Sequence, residues 1–248
     1  MPDKAGRHTM RPQRLDRIAR IWEKLRSVAS ETDSVVTVEH VCVVCGDVLE
    51  AAGAGLTLAT HGGDVEPVFA TDERSRELED LQFTFGEGPA LEVLHGGMLV
   101  VVTDVTSSEA TLRWPMFTPE AIDRGVKSII AVPIQAGAIK MGVVDCYREL
   151  AGFPSKEGQA EALVCAETAI ALAVADTGRP GLAELIDLEF TEHRAQVHQA
   201  TGIVSVQLDV GLPEAFARLR AHAYASDRKL NEVARDVVLR RLTFRPDA

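Results

Sequence analysis

Four cysteines and a run of C-terminal cations are the residues of this chain whose types and spacing could do chemistry. Cys42 and Cys45 form a Cys-x-x-Cys pair, with Cys146 and Cys165 elsewhere. In a cytosolic protein that spacing fits a redox or metal pair. The flanks argue for a structural role instead, because Val41, Val43, Val44 and Val48 embed the pair in an apolar helix. Residues three apart share a helix face, so both sulfurs are expected in the core, where free cysteine acts as a small hydrophobe. No second Cys-x-x-Cys or nearby histidine pair completes a zinc site. A reactive thiolate also needs a cationic neighbour, and no Arg or Lys lies close by in sequence. The second set is Arg218, Arg220, Arg228, Lys229, Arg235, Arg240 and Arg241. The planar fork of arginine donates two hydrogen bonds at once to phosphate or a base edge. The competing reading of these cations is an ordinary solvated helix surface.

Charge divides the chain that must position them. Residues 1–30 hold eight Lys+Arg against three Asp+Glu, a net of +5, and residues 31–190 hold nine against twenty-seven, a net of −18. Residues 191–248 hold nine against seven, a net of +2, which completes the total of −11. The acidic middle repels nucleic acid, so only the two ends can approach a phosphate backbone. The C-terminal excess is small, and binding there must rely on where the cations stand.

The C-terminal segment has helical periodicity. From Pro180, a residue tolerated at a helix start, Leu182, Ile186, Phe190, Val197, Ala200, Val204 and Leu208 form one stripe. Gly211 is a plausible stop. A second helix is expected from Pro213, with Ala215, Phe216, Leu219, Ala223 and Tyr224 inward, and a third from Leu230, with Val233, Ala234, Val237, Val238 and Leu242 on one side. Gly202 costs the first helix roughly 1 kcal/mol relative to Ala, which a close approach by another helix would explain. The stretch Thr177–Gly181 is the expected linker, after a basic N-terminus over 1–13 and a sensor-sized unit over 14–176; the helical unit spans 182–245. No apolar run reaches the roughly 18 residues of a membrane span, and no secretory signal is present, so the cytoplasm is the expected location.

The larger unit reads as α+β. An amphipathic helix over 14–28 carries Leu15, Ile18, Trp22 and Leu25; a second runs over 35–52 and stops at Gly53 or Gly55. Strands are expected at 56–60, 67–71, 98–103, 128–133 and 141–147, the first two joined through Gly62-Gly63. A helix over 157–175 is apolar on nearly every face and must be buried, with the N-terminal helix as partner. Two copies of that pair would make a four-helix dimer core.

The run Gln196-Val197-His198-Gln199-Ala200-Thr201-Gly202-Ile203-Val204, then Glu214-Ala215-Phe216, Leu219-Arg220, Ala223 and Leu230 to Ala234, resembles an ANTAR domain over about 185–245. ANTAR domains are RNA-binding antitermination modules of bacterial regulators. The resemblance implies a small all-α three-helix unit that binds structured RNA through His198, Gln199, Thr201, Arg218, Arg220, Arg228, Lys229 and Arg235. Thr201 stands where the commonest family form has a basic residue, so His198 or Gln199 would take over that contact. Gly86-Glu87-Gly88-Pro89-Ala90, Val132-Pro133-Ile134 and Met141 to Asp145 resemble a GAF domain over about 14–176. That implies an antiparallel sheet flanked by helices, with a ligand site near a loop at 72–90 and the strand at 128–134. Phe83, Phe85, His95, Trp114 and Phe117 are the candidate lining residues, each also at home in an ordinary core. The GEGPA glycines permit unusual backbone angles, and Pro89 suits a first helical position. The sequence names neither the ligand nor any cofactor.

The leading expectation is therefore a dimeric, ligand-controlled antitermination regulator that holds RNA hairpins. Two others compete. Some GAF-fold proteins are cysteine-based methionine sulfoxide reductases, which needs a partner for Cys146 that the sequence does not reveal. Helices from 213 and 230 also fit a DNA-binding helix-turn-helix, against which Glu232 and Asp236 put acid on the would-be recognition helix.

Overall fold

The computed structural model describes residues 6–59, 65–175 and 188–245, and the side chains of 13–59, 65–172 and 196–245. The chain forms two compact units, Met1–Leu185 and Ile186–Ala248. The expected linker at 177–181, the Gly62-Gly63 turn, and Leu182 and Ile186 fall outside the described residues.

Unit 1 is built on a five-stranded antiparallel sheet of order β2-β1-β5-β4-β3. Its strands are β1 (Gly53–Ala59), β2 (Val65–Ala70), β3 (Val100–Val102), β4 (Ser128–Ala136) and β5 (Ile139–Arg148). Helices α1 (Gly6–Glu31), α2 (Val38–Val48) and α7 (Lys156–Ala175) group together. Helices α3 (Glu73–Phe85), α4 (Pro89–Gly96), α5 (Ser108–Arg113) and α6 (Phe117–Asp123) fill the connections between β2 and β4. Neighbouring strand residues point to opposite sheet faces. On β5 Cys146 meets Cys45 of α2 and Cys165 of α7, whereas Asp145 and Tyr147 meet Gln82 of α3. The sheet is thus covered on both sides, by α2 and α7 on one and α3 and α4 on the other. Val143 and Tyr147 of β5, Ile129 and Ala131 of β4, and Val93 and Leu94 of α4 share the second core with Trp114 and Phe117.

Helix α1 sits on α2 and α7. Arg17 donates to Glu157 at 3.1 and 3.0 Å, Arg20 to Glu161 at 3.0 Å and Arg14 to Glu167 at 2.8 Å. Exposed pairs of this kind contribute little each, about 0–1 kcal/mol, but they fix which side of α1 faces α7. That orientation corrects the expected stripe: Ile21, Leu25 and Ala29 are buried, Trp22 is half-buried, and Leu15 is turned out at 64 % exposure. Helix α7 is likewise less enclosed than its composition implies, since Leu163 is 50 % exposed.

Two further boundaries differ from expectation. Helix α2 ends at Val48, before the glycines, and Glu50 makes the turn with a φ of 54°. Gly53 and Gly55 instead open β1, where a Cβ on Gly55 would lie 2.1 Å from Glu79 Oε1. The stretch at 72–90, expected as a loop, is mostly α3, capped by Asp72 accepting from the Ser75 amide at 3.0 Å. Among the described residues no helix is long and apolar enough to cross a membrane.

Candidate nucleic-acid interface

Unit 2 holds α8 (Leu188–Leu208), α9 (Leu212–Ala225) and α10 (Leu230–Val238), each packed on the other two. Val197, Ala200 and Val204 of α8 meet Ala215, Leu219 and Ala223 of α9 and Leu230, Val233, Ala234 and Val237 of α10 in a buried interior. The small residues let three short helices approach, and the apolar stripes read from sequence supply the contacts. Leu212 and Pro213 start α9 after Gly211, as expected of proline in a first turn.

Gly202 does not mark a close approach. Among the described residues nothing lies within 4 Å of a Cβ built there, so the glycine only lowers helix propensity. Gly202→Ala is expected to stabilise unit 2 by about 0.5–1 kcal/mol, read as a rise in the urea midpoint of the helical signal. A drop would restore the close-approach reading.

The candidate RNA contacts separate into three groups. Lys229 and Arg235 are exposed and ion-pair with no described residue, and His198 and Gln199 stand exposed on α8. Arg218 and Arg228 are engaged within the unit. Arg218 lies 3.6 Å from Glu214, while Arg228 Nη2 donates to Asp236 Oδ2 at 2.7 Å and Nε lies 3.8 Å from Glu232. Arg220 places its guanidinium 4.9 Å above the Phe216 ring, and burial lowers its pKa. Thr201 is a correction to the sequence reading. It is buried, and its hydroxyl donates to the Val197 carbonyl at 2.8 Å, one turn back in the same helix. Tyr224, expected inward, is the second correction: it stands out from α9 at 62 % exposure. Arg240 and Arg241 follow α10, and Arg241 lies 3.8 Å from Asp236.

The candidate ligand residues of unit 1 are not one site. Trp114 and Phe117 are buried in the core between the sheet and α3 and α4, with Phe85 half-buried against it. Phe83 is half-buried on α3. His95 is exposed at the end of α4, its Nδ1 2.7 Å from the Leu91 carbonyl. The GEGPA segment works locally, as its residue types imply. Gly86 and Gly88 take φ of 70° and 135°, and Pro89 opens α4. Glu87, whose role the sequence did not show, accepts from the Met116 and Phe117 amides at 2.6 and 2.9 Å and so caps α6.

Beneath α3 lies a polar cluster that sequence reasoning missed. Tyr147 donates its hydroxyl to Glu79 Oε1 at 2.7 Å, and Thr57 donates to Glu79 Oε2 at 2.7 Å. Gln82 donates to Asp145 Oδ2 at 2.7 Å and to Tyr147 Oη at 3.0 Å, and its own carbonyl accepts from the Ala90 amide at 2.8 Å. Asp145 Oδ1 finds no partner among the described residues. The Glu79 and Asp145 carboxyls lie close enough for the charge on one to disfavour ionisation of the other. Burial pushes Glu79 up to about 7; burial and the neighbouring Glu79 charge push Asp145 well above the usual carboxylate range.

The cysteines form a second cluster on the opposite sheet face. All four are buried and reduced, and the Cys45 thiol lies beside those of Cys146 and Cys165. Burial raises Cys42 well above the ordinary thiol value, and the contact with Cys146 does the same for Cys45. The partner of Cys146 that the sequence concealed is therefore present, in a setting that disfavours thiolate. Among the described residues no three His, Cys, Asp or Glu side chains are grouped to hold a metal ion.

Comparison with known proteins follows the same division. Residues 189–238 match the ANTAR domain model. No curated protein matches the chain. Unit 1 is similar to the GAF domain of an Acinetobacter phosphoenolpyruvate-protein phosphotransferase, at 13 % identity and a TM-score of 0.48 over 68 % of this chain and 98 % of that one. It is also similar to the GAF domain of a Coxiella burnetii phosphoenolpyruvate-protein phosphotransferase (16 % identity, TM-score 0.47, 65 % and 97 % covered). A type II free methionine-R-sulfoxide reductase from Thermoplasma acidophilum is more distant in fold, at 16 % identity and a TM-score of 0.35 over 52 % and 86 %. The chain carries an ANTAR domain at residues 189–238, preceded by a five-stranded antiparallel-sheet unit that is similar to the GAF domains named above.

Proposed function

We propose that this chain is a signal-responsive transcription antitermination regulator that grips hairpin RNA through unit 2 under the control of a ligand held by unit 1. The ANTAR match over residues 189–238 carries the reading. The exposed Lys229 and Arg235 supply its electrostatics, and the −18 net charge of residues 31–190 keeps nucleic acid away from the rest. In this mechanism the regulator acts as a homodimer through α1 and α7, each of which carries an exposed leucine, Leu15 and Leu163. A ligand bound in unit 1 shifts the dimer geometry, and the paired helical units then hold an RNA fold that excludes a terminator.

Competition separates this from duplex DNA recognition. The full chain is expected to retain a pool of RNA stem-loops against excess duplex DNA of equal length, with affinity that falls steeply as salt rises. Displacement by the duplex at equal concentration would transfer unit 2 to the DNA reading. Native mass spectrometry of the same protein reads its dimer and any small molecule it retains; a bare monomer would sink both of those parts. The reductase alternative has the Cys45–Cys146–Cys165 cluster as support, and its complete burial stands against turnover.

A further inference from the structure

The two faces of the sheet hold their helices by different means. Helix α2 buries Val38, Val41, Val44 and Val48 beside its two cysteines. Helix α3 buries one apolar side chain, Leu78, with Ser75, Glu79 and Gln82. Its hold on the sheet is therefore largely polar. Thr57 of β1 and Tyr147 of β5 donate to Glu79, and Gln82 donates to Asp145. The Gln82 carbonyl accepts from the Ala90 amide, so one side chain ties together α3, the sheet and the first turn of α4.

These bonds gather round two carboxyl groups, Glu79 at 1 % exposure and Asp145 at 0 %. Among the described residues no cation bonds to either. On α3, Arg74 donates to Glu149, Arg76 lies 3.5 Å from Glu73, Glu77 is taken by Arg124, and Asp80 adds a further acid. From α6, Glu120 pairs with Arg124 and Asp123 is exposed; from α4, Glu92 pairs with Arg113 and His95 contacts the Leu91 carbonyl. On β2 the register sets Glu66 opposite Leu58, on the face away from Thr57. On β5, Lys140 donates to the His95 carbonyl, and Arg148 falls on the Cys146 face, where Ser128 and Gly152 hold it. Each proton lost from the pair thus leaves a buried charge with neutral donors only, whereas lifting α3 would hand that charge to water. A segment with so few buried apolar contacts belongs to the part of a fold that opens locally.

We propose that α3 is a proton-gated lid of unit 1: it lies closed while Glu79 and Asp145 are protonated and lifts off the sheet as they ionise, freeing the first turn of α4 at Ala90. The lid belongs to unit 1 alone and goes beyond the RNA reading, whose failure would leave it standing.

Hydrogen exchange on the full chain, with each amide rate divided by its intrinsic rate, tests the lid. The amides of 78–85 and of Ala90 are expected to be about tenfold or more less protected than those of 41–48 at every pH. Between about pH 6 and about pH 8.5 they should lose about a further tenfold, as Glu79 at about 7 against an ordinary 4.5 dictates. Glu79→Gln, with Asp145→Asn as an independent second variant, should reduce that loss. Equal protection for α2 and α3 would show that unit 1 opens only as a whole, and the lid would be overturned. An α3 whose protection ignores pH, or falls as far in both variants, would overturn it too.

Discussion

Raising the pH from about 5 to about 8 is expected to weaken unit 1, and Glu79→Gln is expected to remove much of that loss. The folded-state pKa of Glu79 is about 7 against an ordinary 4.5, so between those values the folded chain holds a proton that the unfolded chain has released. The contribution is fully present below about pH 4.5 and is lost as the pH rises through about 7. At about 1.4 kcal/mol per pKa unit, the loss attributable to Glu79 is about 3 kcal/mol. Asp145 shifts in the same direction and steepens the curve. Glutamine keeps an oxygen for the Tyr147 hydroxyl without a charge to bury, so the variant should exceed the unchanged protein in stability at high pH. Adding Asp145→Asn should flatten what slope remains. Both tryptophans of the chain, Trp22 and Trp114, lie in unit 1, so urea unfolding followed by tryptophan fluorescence reads that unit. Parallel pH curves for the unchanged protein and Glu79→Gln would refute the proton held by buried Glu79.

Lys229→Ala combined with Arg235→Ala should weaken hairpin RNA binding about 100-fold at moderate salt. Each charged contact with phosphate is worth about 1.4 kcal/mol at the low end of charge-assisted hydrogen bonds. The slope of log affinity against log salt should also fall by about 1.5, since two phosphate contacts and their released counterions are gone. The choice of residues comes from the structure. Arg220 and Arg228 are equally attractive in sequence, but Arg228 is bound to Asp236 at 2.7 Å across the α9–α10 turn. Removing it would strand a partly buried carboxylate and mix a stability loss into the binding loss. Lys229 and Arg235 carry no such partner among the described residues. An unchanged salt slope in the double variant would take both cations out of the interface.

What could be read from the sequence was what repeats at short range. The valines around Cys42 and Cys45 announce a buried helix, and α2 is one. The stripes Val197-Ala200-Val204 and Leu230-Val233-Ala234-Val237 announce the interior of unit 2. Helix α3 was hidden because its buried face carries Ser75, Glu79 and Gln82 beside Leu78, so the apolar period that betrays a helix is absent. Glu79 and Gln82 are satisfied by Thr57, Asp145 and Tyr147, partners up to 68 positions away that no local pattern can supply. The meeting of Cys45, Cys146 and Cys165 was concealed for the same reason. Thr201 and Tyr224 show a different limit. Thr201 looks like a contact residue until its hydroxyl is found bonded to its own helix. Tyr224 sits one position beyond Ala223, where a 100° step separates the interior from open water.

The two sides of the sheet will also differ in how they meet solvent. The side under α2 and α7 is lined by valines, alanines and thiols, and a cavity opened there would stay dry, because a water molecule would find few partners. The side under α3 offers carboxyl, amide and phenol groups, one of them with an oxygen still unsatisfied. Water entering there is met by hydrogen bonds at once. The wettable seam of this unit therefore runs along α3.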